Sequence, residues 1–191
     1  MWWLEGIRAG HGGHRAVRIA GVLAFSALLA GCFQPLYGDR SPTGGPAIRA
    51  ELAQVDVAQI PAPNGTPASR LAVEVRNSLV FSLTGGGSPP PPTHRLDIQL
   101  STGEMSVLVD IRTARPDVNN VAVNATYKLT DLRTGKVVLT DTTFARVSYD
   151  IPGQEQRFAR QRGLRDAENR AAKMLVDNIQ TRLASYFVAG T

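Results

Sequence analysis

The chain has 191 residues, with 21 Lys and Arg against 16 Asp and Glu, a formal charge of +5. Apolar residues make up 43% and charged residues 19%, which excludes a wholly disordered chain and a coiled coil and favours one domain. One cysteine excludes an internal disulfide, and 18 Gly with 12 Pro predict long punctuated loops.

The first 31 residues read as a targeting segment. Arg8, Arg15 and Arg18 precede an uncharged apolar run from Ile19 to Ala30. As a helix, those 12 residues span about 18 Å, well short of the roughly 30 Å hydrocarbon core of a bilayer. A basic flank, a short apolar run and small residues at its end are the parts of a secretory signal. The run closes on Leu29-Ala30-Gly31-Cys32, which resembles the bacterial lipobox. There the Cys thiol is joined to diacylglycerol and becomes the first residue after cleavage, so the resemblance assigns lipidation to Cys32. Removal of residues 1–31 leaves 18 basic against 15 acidic residues, too mild an excess to argue for nucleic acid. Phe33 stands where an aspartate commonly retains lipoproteins at the inner membrane, so the resemblance implies outer-membrane sorting.

Residues 33–47 are rich in Gly, Pro, Ser and Thr, so 32–47 reads as a lipidated tether and 48–191 as a single folded domain. Leu52, Val55, Val57 and Ile60 predict a strand over 48–60. Thr66-Pro67 has the form of an N-cap followed by proline in the first helical turn. Leu71, Val75, Leu79 and Leu83 recur every fourth residue and predict an amphipathic helix, closed by the Gly/Pro tract 85–92. That tract lacks the Lys of a phosphate loop and reads as a stiff linker.

From His94 the period becomes two. Leu96, Ile98 and Leu100 alternate with Asp97 and Gln99, and the strand is expected to resume over 105–110 after an irregularity at Gly103. Val121, Val123, Ala125, Tyr127 and Leu129 line one side of a third strand. A turn at Asp131–Gly135 returns the chain through a fourth, residues 136–149. Leu164, Ala167, Ala171, Leu175, Ile179, Leu183 and Tyr186 share one face of a long last helix, with Gly163 as a bend or as its start. Opposite charges at i,i+4 on the other face, such as Asp166 and Arg170, are placed to attract. The expected class is α+β: two helices packed on one face of a four-stranded, mostly antiparallel sheet in the order β-α-β-β-β-α.

The residues expected after cleavage offer little to catalysis. His94 is the single histidine beyond the leader, and Cys32 is consumed by lipid, so neither a Cys-His nor a paired-His metal site is expected. No serine sits in a Gly-x-Ser-x-Gly context, and His94 reads as a surface residue at a strand entry. Asp97, Glu104 and Asp110 are exposed-strand acids before they are a carboxylate pair. No catalytic residue, metal or cofactor is expected, and the protein reads as a non-enzyme. Two arginine groups remain: Arg112 and Arg115 between the second and third strands, and Arg157, Arg160, Arg162 and Arg165 at the start of the last helix. Guanidinium forks suit phosphates, so these could hold an anionic glycolipid head. A solvated face, or ion pairs with Asp150 and Asp166, is the plainer reading of any one of them.

Cys32-Phe33-Gln34-Pro35-Leu36-Tyr37-Gly38 resembles the mature start of the lipopolysaccharide-assembly lipoprotein family, LptE. The likeness continues in Val75-Arg76-Asn77-Ser78-Leu79 and in Val123-Asn124-Ala125-Thr126-Tyr127, and it spans Cys32 to Phe187 with the element order read above. The resemblance implies a lipid-anchored outer-membrane protein that plugs a large lipopolysaccharide-transport β-barrel, assists its assembly, and contacts lipopolysaccharide. Under it Arg112, Arg115, Arg157 and Arg160 become candidate lipopolysaccharide contacts. The alternative is an auxiliary lipoprotein of an ABC-type envelope lipid-transport system, with the same anchor, size and mixed α/β content.

Overall fold

The computed structural model describes residues 48–110, 115–150 and 157–189, and for 107–110 and 115–117 the backbone alone. Cys32, the tether and Arg112 lie outside the described residues. The elements run α1 (Ile48–Ala53), β1 (Val55–Val57), α2 (Pro67–Thr84), β2 (His94–Asp110), β3 (Arg115–Asp131), β4 (Val137–Asp150) and α3 (Arg157–Ala189). The strands form one sheet in the order β1-β2-β3-β4, with β1 parallel to β2 and the other pairs antiparallel. This is the expected α+β arrangement with one helix more.

That extra helix corrects the strand expected over 48–60. Ile48 and Leu52, four residues apart, are both buried, while Arg49 and Ala50 face outward. This is one turn of a helical stripe, and Ala50, Glu51, Leu52 and Ala53 are good helix formers. Strand geometry is confined to Val55-Asp56-Val57, whose flanking valines are buried. Six residues are too few for periodicity to separate the two states, and packing against α2 and α3 decides.

The start of α2 is as the sequence predicts. Thr66 is extended and accepts a hydrogen bond from the Ser69 backbone N–H at 3.2 Å through Oγ1, and Pro67 follows at the first helical position. Gly85, at φ +65°, closes the helix by donating its N–H to the Phe81 carbonyl at 2.8 Å. Leu71, Val75, Leu79 and Leu83 are all buried.

β2 and β3 form a long hairpin. Gly103 pairs regularly with Ala122, so the irregularity expected there is absent; the register shifts between Ser106 and Val109 instead. Beyond the shifts the strands pair again at Val109–Pro116 and Asp110–Arg115. The β3–β4 turn is held by Asp131, whose Oδ1 accepts from the backbone N–H of Arg133 at 2.7 Å and of Thr134 at 3.3 Å. Gly135 then takes φ +68°, a left-handed conformation that side chains disfavour.

α3 is continuous through Gly163, which does not start it. A Cβ at that position would lie 3.3 Å from a Tyr149 ring carbon, so the glycine lets the helix approach β4 closely. Farther along, Ala167, Ala171, Ala172 and Ala184 alternate with Leu175, Ile179 and Leu183 on the buried face. The core joins this face and that of α2 to one side of the sheet: Leu96 and Ile98 from β2, Val121 to Leu129 at alternate positions of β3, and Leu139, Ala145, Val147 and Tyr149 from β4. Among the described residues no helix covers the side chains that alternate with them, and the exposed residues there include Gln99, Asn124, Thr126, Lys128, Thr140 and Thr142. An antiparallel sheet with one dry and one wet face produces this alternation.

Leu79 is fully buried, and Leu79→Ala is expected to cost about 3 kcal/mol of unfolding free energy through lost burial and a residual cavity. Val73, exposed on the same helix, is expected to tolerate alanine within about 0.5 kcal/mol. Urea denaturation of the two variants checks both values.

Candidate functional site

The end of the sheet near the start of α3 carries a polar cluster drawn from four elements. Glu104 of β2 shares the face of Leu96 and Ile98, so its carboxylate points towards the helical layer. Tyr149 of β4 donates its hydroxyl to Glu104 Oε1. Asn119 of β3 donates through Nδ2 to the same oxygen at 2.6 Å and lies 3.4 Å from the Tyr149 hydroxyl. Arg160, one turn into α3, brings Nη2 to 4.0 Å from Glu104 Oε1. The Tyr149 hydrogen bond holds the Glu104 pKa below its ordinary value against the opposing effect of partial burial, with Asn119 and then Arg160 adding to it. Burial and the facing Glu104 push the Tyr149 phenol up. The cluster fixes an ionised carboxylate between sheet and helix.

Arg157 and Arg160 are both exposed on the first turn of α3, and Phe158 between them is 82% exposed. Arg160 also makes the Glu104 contact, so it combines a weak tie to the sheet with an outward charge. Arg115 occupies the last position of the β2–β3 ladder, opposite Asp110. The backbone therefore brings the β2–β3 end and the first turn of α3 to one end of the domain. Arg162 and Arg165 are exposed, and Asp166 pairs with Arg170 at 2.8 Å as the i,i+4 spacing predicts.

The carboxylates do not converge. Asp97 is exposed on the uncovered face, whereas Glu104 turns to the helical side seven residues further along the same strand, so they form no catalytic pair. His94, expected at the surface, is half-buried. Its Nδ1 lies 2.9 Å from Thr93 Oγ1, and its ring meets Phe187 edge-on at a centroid distance of 5.2 Å. Burial lowers its pKa, against a smaller raising effect from Asp131. These contacts hold the entry to β2. Among the described residues no group of His, Cys, Asp or Glu is arranged to hold a metal ion, and no helix is long and apolar enough to cross a membrane.

Two features escaped sequence reasoning. Glu168 faces inward, only 9% exposed, and is paired with Arg70 of α2, whose Nη1 also donates to Asn169 at 3.2 Å. This ties the two long helices together. The Glu104–Asn119–Tyr149 cluster is the other, and its signal was present in the parity of Glu104 with Leu96 and Ile98.

The lipopolysaccharide-assembly family model, LptE, matches residues 52–183. The chain belongs to this family. LptE members act in lipopolysaccharide assembly, a non-enzymatic role. Two solved structures show the same fold at low identity. A candidate lipoprotein from Caulobacter crescentus CB15 is 20% identical, with 75% of this chain and 97% of that chain covered and a TM-score of 0.58. The rare lipoprotein B of Shewanella oneidensis is 14% identical, with 70% and 96% covered and a TM-score of 0.50. No curated protein sequence matches.

Because the folded pKa of Glu104 lies below its unfolded value, the ionised group stabilises the fold at neutral pH. That contribution fades as the pH falls through the folded pKa, below the usual carboxylate range. Tyr149→Phe removes the leading cause and is expected to raise the Glu104 pKa towards 4.5, read by carboxyl NMR titration. Glu104→Gln is expected to be less stable than the parent at pH 7, with the difference shrinking below about pH 4 in denaturation curves.

Proposed function

We propose that this LptE-family protein is anchored by acylated Cys32 to the outer membrane, sits within the lumen of the lipopolysaccharide-transport β-barrel, and assists delivery of lipopolysaccharide to the cell surface. The observation that carries this reading is the family match across the folded core, joined to the lipobox-like Leu29–Cys32 that precedes it. The uncovered sheet face supports it. Thr126 and Thr142 hydroxyls lie 3.2 Å apart across the strands, and Ser148 donates to Asn120 Oδ1 at 2.6 Å, so that face is lined by hydroxyls and amides suited to a wet, polar lumen. A lipid anchor would hold the domain beside a barrel and raise the effective concentration without added contacts.

Purification of the protein from its native outer membranes is expected to recover a stoichiometric, heat-modifiable barrel and an acylated amino-terminal Cys32 by mass spectrometry. Recovery with an inner-membrane permease instead would support an auxiliary role in lipid transport, and a free thiol or retained leader would remove the anchor.

The arginines at the α3 end are proposed to meet lipid A phosphates. Arg112→Ala with Arg115→Ala, and separately Arg157→Ala with Arg160→Ala, are expected to weaken lipopolysaccharide binding about 10-fold, in line with charge-assisted hydrogen bonds of about 1.5–3 kcal/mol before solvent screening. The denaturation midpoint is expected to stay unchanged in the first pair. Titration of purified variants with lipopolysaccharide checks it, and unchanged binding in either pair removes that pair from the site.

A further inference from the structure

β4 is the last strand of the sheet, and among the described residues no strand pairs with its outer edge. Two hydrogen bonds fix which residues turn their backbone outward. Arg170 Nη2 donates to the Ser148 carbonyl at 3.2 Å from α3, and the Thr142 backbone N–H donates to Asp141 Oδ1 at 2.7 Å. Both are even-numbered positions, so by the period of two Phe144 and Arg146 also present their N–H and C=O away from β3. Flanking side chains thus satisfy one group at Thr142 and one at Ser148. Between them, the outward backbone groups of Phe144 and Arg146 have no hydrogen-bond partner among the described residues.

The surroundings of this gap are built as a groove. α3 ties itself to β4 through Arg170, through Asn178 (to Thr143 Oγ1 at 3.1 Å) and through Arg182 (to Asp141 Oδ2 at 2.9 Å). Between the first two ties Met174 is 45% exposed, and it borders with Val147 a groove of about 510 Å³ beside the edge. On the other side of the strand Phe144 is 61% exposed, with the Arg146 guanidinium 5.4 Å from its ring centre. Asp166 offsets Arg170, and Asp141 pairs with Arg182. Among the described residues the exposed Arg146 and Lys173 take part in no ion pair, and the acid that lines the groove with them is Asp177, so the rim is net positive.

We infer that this window on β4 takes up an extended acidic segment of another protein as an added strand. Main-chain hydrogen bonds to Phe144 and Arg146 would supply the register. Residues opposite Arg146 would point to the uncovered face, where an acid meets the guanidinium. Their neighbours would turn into the groove, where an apolar side chain meets Val147 and Met174. A strand of alternating acidic and apolar residues fits both sides. A second copy of this chain would add its own Arg146 and Lys173 to the same surface, so the charge favours a different, acidic chain. The window is present whatever membrane partner the protein has.

The full-length protein in detergent, titrated with a fluorescent ten-residue peptide of alternating Glu and Val, tests this. Binding by anisotropy is expected, at least 10-fold weaker when Lys replaces Glu in the peptide. N-methylation of one alternate set of peptide amides is expected to abolish it, and methylation of the other set to leave it intact. The exposed pair Arg146→Glu with Lys173→Glu is expected to weaken the Glu-Val peptide at least 10-fold, with an unchanged denaturation midpoint. Absence of binding overturns the inference, as does equal binding by both methylated peptides or by the charge-reversed pair. A dimer in sedimentation that the peptide dissolves would make a second copy the occupant and overturn it as well.

Discussion

Burial of one face of the β2–β3–β4 sheet under α2 and α3 is the constraint on which the other features depend. Leu96, Ile98, Val123, Ala125, Tyr127 and Leu129 meet Leu71, Val75, Leu79, Leu175, Ile179 and Leu183 in one apolar layer. Each of these side chains contributes about 1.5–3 kcal/mol when taken out of water, the smaller alanine less, and none could be buried by its own element alone. The alanines of α3 and Gly163 set how near the helix comes to the strands, and that distance places Arg170, Asn178 and Arg182 within reach of β4.

One-sided burial makes the domain asymmetric. β3, the first part of β2 (94–100) and the last part of β4 (143–150) alternate, so the second face collects Thr, Asn, Ser and Lys, with Phe144 and Met105 as exposed large apolar residues among them. A sheet buried on both sides would have continuous apolar strands and no such face. The same asymmetry leaves β4 at the edge. Long bare edges invite pairing, and α3 covers this one through three polar side chains spaced along its length, with a gap at Met174.

Charges along α3 have different surroundings. The Arg70–Glu168 pair lies between helices and is partly shielded, so removing either partner would strand a charge. Arg157 and Arg160 stand exposed in the first turn beside an equally exposed Phe158, an arrangement that adds nothing to the core. Between these lies Glu104, held ionised by Tyr149 and Asn119. Membership of the lipopolysaccharide-assembly family gives these charges their context.

Local pattern alone determined the caps of α2, the Asp131–Gly135 turn, the inward positions of β3 and the stripe of α3, because each depends on residues adjacent in the chain. The opening resemblance at Cys32–Gly38 likewise needed no fold, and neither did the presence of a single histidine after residue 31. Tertiary structure decided the rest. Ile48–Ala53 became a helix because six residues hold too little periodicity to outweigh what α2 and α3 offer them. Gly163 became a close-contact site because Tyr149 lies against it, and the β2–β3 ladder kept its register at Gly103 and shifted between Ser106 and Val109. Glu104, Asn119, Tyr149 and Arg160 are separated by up to 56 positions, and the open window at Phe144 and Arg146 exists only where α3 fails to cover it. Such placements depend on the distances between packed elements, which a linear pattern does not contain.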